Sequence, residues 1–160
     1  KKEIDLKYET LDMKDLVNEV TASMRLQFEK HHADVNVNPA EDTLIEGDRL
    51  HLVSVIFNLL DNALKYSSEN PRIDIDISSV GNKLHLVISD SGIGIPPEYL
   101  NKVFEKFFRV PTGNLHNAKG YGLGLSYVAH VIKRHRGTIR VESIEGDGSK
   151  FIIILPKHAA

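Results

Sequence analysis

Apolar residues recur at Leu16, Val17, Val20, Met24 and Phe28, a spacing of three and four that predicts one amphipathic helix over about 12–31. Residues 4–9 read as a short strand before it, and 34–38 alternate as a strand until Asn38-Pro39 breaks the pattern. A further strand is predicted over 43–46, ending at Gly47, and Asp48 then stands where a helix N-cap belongs. The helix it opens runs to about Tyr66 and stops at the polar cluster 67–71. Two β-branched stretches, IDIDISSV and LHLVIS, predict strands over 72–79 and 83–89 joined as a hairpin at Gly81-Asn82. A helix over 123–135 and a closing hairpin of 138–144 with 150–155 complete an alternating α/β order.

One stretch resists this reading. Between Ile95 and Gly120 a short helical PEYLNKVF gives way to EKFFRVPTGNLHNAKG, which has no sustained period and is longer than ordinary connections. Lying between two glycine-rich motifs, it predicts a lid over about 96–121 that is mobile without ligand, because ordering it costs roughly 1–2 kcal/mol per residue in backbone entropy.

Composition narrows the picture further. The 160 residues, 41% hydrophobic and 26% charged, suit a single domain that buries about two-thirds of its unfolded surface. A net charge of −2, with Lys and Arg dispersed, argues against a nucleic-acid footprint. The absence of cysteine excludes disulfides, thiolate metal sites and a cysteine nucleophile. No stretch is apolar enough to cross a bilayer and no signal peptide is visible, while the opening KKEIDLKYE, without an initiator methionine, reads as a piece of a longer protein.

Three stretches carry candidate chemistry. In IFNLLDNALKYS, Asn58, Asn62 and Lys65 share one helix side, where carboxamide oxygens suit a phosphate-bridging magnesium ion and the ammonium suits phosphate; Tyr66 offers an aromatic face to a base. Asp61 projects differently and reads as surface charge. In DSGIGIP, Asp90 ends a strand as an acceptor for the amino group of adenine, which guanine lacks at that position, and Gly92 and Gly94 free space beside a base and permit positive φ in the turn that follows. In GYGLGLS, Gly120, Gly122 and Gly124 open a helix whose amides can bind phosphate. Each stretch alone also reads as ordinary surface helix, strand-closing turn or hinge. P-loop and dinucleotide-binding patterns both fail on spacing.

Taken in order, the stretches resemble the ATP-binding catalytic domain of bacterial sensor histidine kinases, in the wider group that includes gyrase, the ninety-kilodalton heat-shock chaperones and the mismatch-repair ATPases. NLLDNALKYS resembles the asparagine box and DSGIGIP the first glycine box. FEKFFR resembles the phenylalanine box, GYGLGLS the second glycine box and GDGSKF the last. The resemblance implies the Bergerat fold, a two-layer α/β sandwich with a mixed, mostly antiparallel sheet of about five strands on three helices. It implies ATP and Mg²⁺ as ligands, with Asn58 and Asn62 on the metal, Lys65 facing phosphate and Tyr66 and Asp90 on adenine. Arg109 and Lys119 are implied at the terminal phosphate, and Gly92, Gly94, Ile95, Gly120, Gly122, Leu123, Gly124 and Ser149 complete the nucleotide set. The catalytic roles fall to Asn58, Lys65 and Arg109, while Phe104, Phe107 and Phe108 read as lid-anchoring core. Two residues depart from the family pattern: Tyr121 stands for a threonine or serine, and Arg136 for a glycine.

Position 58 separates reaction types, since hydrolysing relatives carry a glutamate base there and a carboxamide cannot take a proton. Phosphoryl transfer is therefore expected. None of the eight histidines is followed by an acidic residue as the family's phosphoacceptor is, so the acceptor is expected on a separate dimerising domain of the parent protein, with a response regulator downstream. Residues 1–160 are then one catalytic domain, monomeric alone, cytoplasmic, and part of a homodimeric inner-membrane sensor. An ATP-hydrolysing or protein-serine kinase member of the fold, and a non-catalytic ATP sensor, remain as alternatives.

Overall fold

The computed structural model describes residues 4–67, 69–106, 108 and 123–159. Along the chain lie β1 (Tyr8–Asp12), α1 (Met13–Ser23), α2 (Arg25–Lys30), β2 (Asp34–Pro39), β3 (Leu44–Asp48) and α3 (Arg49–Lys65). There follow β4 (Arg72–Val80), β5 (Lys83–Asp90), a 3-10 turn at Pro97–Tyr99, α4 (Leu123–Arg134), β6 (Thr138–Ile144) and β7 (Gly148–Pro156). Five strands form one sheet in the order β2-β4-β5-β7-β6, antiparallel except for the β2–β4 pair, and β1 pairs antiparallel with β3 apart from it. This is the predicted two-layer α/β architecture.

Strand alternation builds the layer boundary. Ile75 faces Ile88, and Ile88 faces Phe151, so one side of the sheet is a continuous apolar surface while Asp74 and Asp76 point the other way. Leu16, Val17 and Val20 of α1, Leu52, Val55, Leu59 and Leu60 of α3, and Val128 and Val131 of α4 close over that surface. Each such side chain contributes roughly 1.5–3 kcal/mol on burial, which is why these helices form on the sheet rather than by propensity alone.

Several boundaries depart from the sequence expectation. The helix predicted over 12–31 is broken at Met24, which sits at φ −99°, ψ 9°, and whose amide shares the Val20 carbonyl, at 3.0 Å, with Ser23 Oγ at 2.8 Å. Both Met24 and Phe28 remain buried across the break, which makes the α-helices four rather than three among the described residues. The first strand lies at Tyr8–Asp12, later than predicted, because its position is set by pairing with β3, Tyr8 opposite Asp48 and Asp12 opposite Leu44. Pro39 closes β2 instead of breaking it, which an edge strand tolerates. The last hairpin turns more tightly than expected, with β7 starting at Gly148. Most of the predicted lid lies outside the described residues, so its expected mobility does too.

Asp48 caps α3 as predicted, its Oδ1 accepting the His51 amide at 3.0 Å while Oδ2 accepts that of Lys7 at 2.8 Å. Burial opposes its charge, but these amides and the nearby His51 and His135 outweigh it and lower its pKa. The Asp48 amide in turn donates to His135 Nε2 at 3.0 Å, and His135 Nδ1 lies 2.9 Å from the Val131 carbonyl. These two bonds require a neutral imidazole with its proton on Nδ1. Buried His135, with Tyr8 edge-on against its ring, thus ties β1, β3, α3 and α4 together. Just beyond it α4 ends in a Schellman motif: Gly137 N–H donates to the Ile132 carbonyl and Arg136 N–H to that of Lys133, both at 2.9 Å. Arg136 therefore sits at φ +62°, the left-handed position that glycine fills without strain.

Two outcomes follow for stability. Arg136→Gly raises it by about 1 kcal/mol, read as a higher urea midpoint at unchanged slope. Burial depresses the His135 pKa below its ordinary 6.5, so below that pH the unfolded chain binds the extra proton first and stability falls as pH drops. Urea midpoints measured between pH 7 and pH 5 show this slope, and His135→Gln flattens it at the expense of stability at pH 7.

Candidate nucleotide-binding site

A cleft enclosing about 890 Å³, its open mouth included, lies between α3, the C-terminal end of β5, the start of α4 and the β6–β7 hairpin. From α3 it receives Asn58, Asp61, Asn62 and Lys65, with Tyr66 at the helix end; Asp90, Gly94, Ile95, Gly124 and Ser149 line it from the other elements. Residues from all three sequence stretches thus meet in one place.

The α3 wall is polar because positions 58, 61, 62 and 65 fall opposite the buried Leu52, Ile56, Leu59, Leu60 and Ala63. Asn58 Nδ2 donates to the Ser54 carbonyl at 2.7 Å, which leaves its Oδ1 for the cleft. The first turn of α4 sits directly over that oxygen: a Cβ on Gly124 would lie 2.9 Å from it, closer than side-chain carbons are found. Lys65 Nζ pairs with Asp61 Oδ2 at 3.2 Å, and both side chains are about one-third exposed. Asp61 is therefore part of the cleft wall, which corrects the reading of it as surface charge. The i, i+4 spacing to Lys65 is the signal that would have found it.

Asp90 occupies the opposite end. Burial pushes its pKa up, while the amides of Gly92, at 2.8 Å, and Ser149 stabilise the charge and pull the other way. An acceptor so placed has a free direction only into the cleft. The following loop is stitched on both sides: Ile93 N–H donates to the Tyr66 carbonyl at 3.0 Å, and Gly146 N–H to the Ile93 carbonyl at 2.7 Å. Ser143 Oγ accepts the Ile95 amide at 2.6 Å, donates to the Gly148 carbonyl at 2.9 Å, and lies 3.0 Å from Ser149 Oγ.

This packing changes the reason for the two glycines. Gly92 is buried behind the wall, where a Cβ would strike the Tyr66 carbonyl and come within 2.8 Å of Asp90 Oδ1. Gly94, at φ +75°, would drive a Cβ into the Ile144 carbonyl. Both are required by neighbouring backbone, and Gly94 has the positive φ expected of the turn.

Sequence reasoning missed the apolar lining of Ile93, Val103, Phe108 and Leu125. Phe104 packs edge-on against Phe151 with centroids 6.2 Å apart, the core role expected of it, whereas Phe108 both lines the cleft and tilts against Tyr99. Leu123 enters as the first residue of α4. Phe107, Arg109, Lys119, Gly120, Tyr121 and Gly122 lie outside the described residues.

Comparison with known proteins places this geometry among relatives. The family described as Histidine kinase-, DNA gyrase B-, and HSP90-like ATPase matches residues 47–159. The chain is 44% identical over 154 residues to sensor protein RprX of Bacteroides fragilis, covering 94% of this chain and 30% of that protein. It is 34% identical over 146 residues to sensor-like histidine kinase SenX3 of Mycobacterium tuberculosis, covering 91% of this chain and 36% of that protein. The chain thus spans about a third of the length of the curated relatives it matches. The nucleotide-free catalytic domain of histidine kinase ThkA superposes with a TM-score of 0.84 at 30% identity, covering 95% of this chain and 99% of that one. The kinase ThkA in complex with response regulator TrrA gives 0.81 at 28%, covering 96% and 43%.

The glycine geometry gives a paired measurement. Gly81 has φ +61° with nothing within 4 Å of an added Cβ, so Gly81→Ala costs about 1 kcal/mol from backbone strain alone. Gly94→Ala adds the clash with the Ile144 carbonyl and costs about 2–4 kcal/mol, which urea denaturation of the two variants side by side resolves.

Proposed function

The chain belongs to the histidine kinase-, DNA gyrase B- and HSP90-like ATPase family, as a sensor histidine kinase catalytic domain, and on that premise we propose that it binds ATP–Mg²⁺ and presents the γ-phosphoryl group to a histidine of another domain. One observation carries the reading: a single cleft has a half-buried carboxylate acceptor at one end and two carboxamides with a lysine at the other. Their chemistry fits the two ends of an adenine nucleotide.

In this reading Asp90 accepts the adenine amino group, with Gly94, Ile95 and Ser149 forming the surrounding wall and Tyr66 offering its ring. The donor set also fits a hard cation, since Mg²⁺ is ordinarily held by one or two protein oxygens together with phosphates. Asn58, whose oxygen is already turned to the cleft, and Asn62 would hold it. Bound Mg²⁺ neutralises charge on the phosphate oxygens during transfer. Lys65 turns from Asp61 toward phosphate, while Asp61 disfavours nucleotide that arrives without its cation. Arg109, Lys119, Gly120 and Gly122 contact phosphate in the same scheme, and Leu123 and Gly124 continue it at the helix start.

Position 58 directs the chemistry. A carboxamide cannot act as general base, so Asn58 cannot activate a water for hydrolysis. The site therefore orients a donor for a nucleophile supplied from elsewhere. Three of the histidines have structural contacts instead: His135 is locked as a buried hydrogen-bonding group, His51 bonds Tyr127, and His31 bonds the Gln27 carbonyl. A separate acceptor domain of the parent protein and a response regulator complete the system, in keeping with the regulator complex solved for ThkA. Among the described residues no helix is long and apolar enough to cross a membrane; an inner-membrane parent with this domain in the cytoplasm fits its sensor-kinase relatives.

The test mixes the chain with the acceptor hairpin of its parent protein and radiolabelled ATP. Label is expected on the hairpin histidine and not on the isolated chain. Asp90→Asn lowers ATP affinity about 10- to 100-fold, the worth of a charge-assisted hydrogen bond, and Asn62→Ala removes the Mg²⁺-dependent part of binding. No transfer from a folded, ATP-binding sample overturns the kinase reading, and phosphate release without acceptor favours hydrolysis.

A further inference from the structure

The seam between α3 and α4 is apolar along most of its length, with Val55 and Leu59 on one side and Val128 and Val131 on the other. Apolar packing holds two helices together but fixes their axial register weakly, whereas a directional polar bridge between them, even a half-buried one, favours one register. Such a bridge sits one turn from the cleft. The Tyr127 hydroxyl lies 2.6 Å from His51 Nδ1, with ring centroids 6.0 Å apart, and the Ser54 side chain bonds the same hydroxyl. One oxygen on α4 thus engages two successive turns of α3.

Its neighbours lead straight to the site. Ser54, besides meeting Tyr127, offers the carbonyl that holds Asn58 Nδ2 at 2.7 Å and so aims Oδ1 into the cleft. Gly124, three residues before Tyr127 on α4, is the residue that closes over that oxygen. Sliding α4 along α3 would separate Gly124 from Asn58 and free the carboxamide to turn. Burial pushes the Tyr127 phenol pKa up, which keeps the hydroxyl protonated and so able to bond His51 and Ser54 at once. Tyr127 itself does not line the cleft.

We propose that Tyr127, through its bridge to His51 and Ser54, is a positioning residue that sets the carboxamide of Asn58 and the first turn of α4 for metal-bound nucleotide. The inference rests on the ATP–Mg²⁺ reading above. It assigns the hydroxyl a role in the metal-dependent part of binding and none in contacts to the base.

The test measures ATP affinity in chelator and at saturating Mg²⁺ for the wild-type chain, Asn58→Ala, Tyr127→Phe, His51→Leu and His51→Asn. Side-chain amide resonances of Asn58 and thermal melts are recorded for each. Tyr127→Phe keeps the ring and is expected to leave metal-free affinity within twofold, to reduce the gain on adding Mg²⁺ about 5- to 10-fold, and to shift the Asn58 amide signals. His51→Leu, which breaks the same bond from the other helix, behaves alike, while His51→Asn, with an acceptor close to the position of Nδ1, restores the gain. A folded Tyr127→Phe with the full Mg²⁺ gain and unmoved Asn58 signals overturns the proposal. If that variant does not fold, equal Mg²⁺ gains for the two His51 variants overturn it. Absence of any Mg²⁺ gain in the wild-type chain, or its persistence in Asn58→Ala, instead sinks the underlying metal reading.

Discussion

A carboxylate held inside a protein needs donors, and meeting that need at Asp90 organises the molecule around it. The amides that satisfy it come from two directions, Gly92 in its own loop and Ser149 across the sheet. The first demands a turn so tight that the Tyr66 carbonyl fills the place of a side chain at Gly92; the second demands that β5 and β7 keep register to their ends. Ionised and ready to accept, the group stays costly without a partner. The hydrogen bonds of Ser143, Ile93 and Gly146 hold the loop that carries Gly92 against the β6–β7 hairpin.

α3 answers a second demand, being core and site at once. One side of this 17-residue helix is buried against the sheet, and the other delivers every candidate metal and phosphate group that the structure describes before Asp90. Its direction is set at the N-terminus by Asp48, which is fixed by His135 from α4 and by Lys7 from the chain before β1. Orientation of the carboxamides thus depends on contacts far from the cleft, in the manner of supporting shells in functional sites generally.

Much of this was legible in the residues themselves. The stripe of α3, the cap at Asp48 and the strand ending at Asp90 are local patterns, each written within one or two turns of chain. What escaped was set by contacts between distant residues or by side-chain competition. Where β1 begins is decided by β3 some forty residues on, and at Ser23 a hydroxyl shares the Val20 carbonyl with the Met24 amide where the helix breaks. Gly92 and Gly94 were found at the right positions for an incomplete reason, since backbone crowding from Tyr66 and Ile144 is invisible until the loop meets the hairpin. Val103 and Phe108 come from a stretch with no period, which sequence patterns cannot place. Asp61 was misassigned although its ion pair with Lys65 lay within reach of simple helix spacing.

The strand order has a kinetic side. β4 and β5 form a hairpin and meet early, but β5 must also receive β7, which leaves the chain about sixty residues later, and β2 lies parallel to β4 across the whole of α3. Pairings of such high contact order are slow, because loop entropy is spent before their contacts form. The Asp90–Ser149 pair is at the extreme end of the β5–β7 ladder. The Asp90 end of the cleft therefore rests on the terminal contacts of a ladder between strands far apart in the chain.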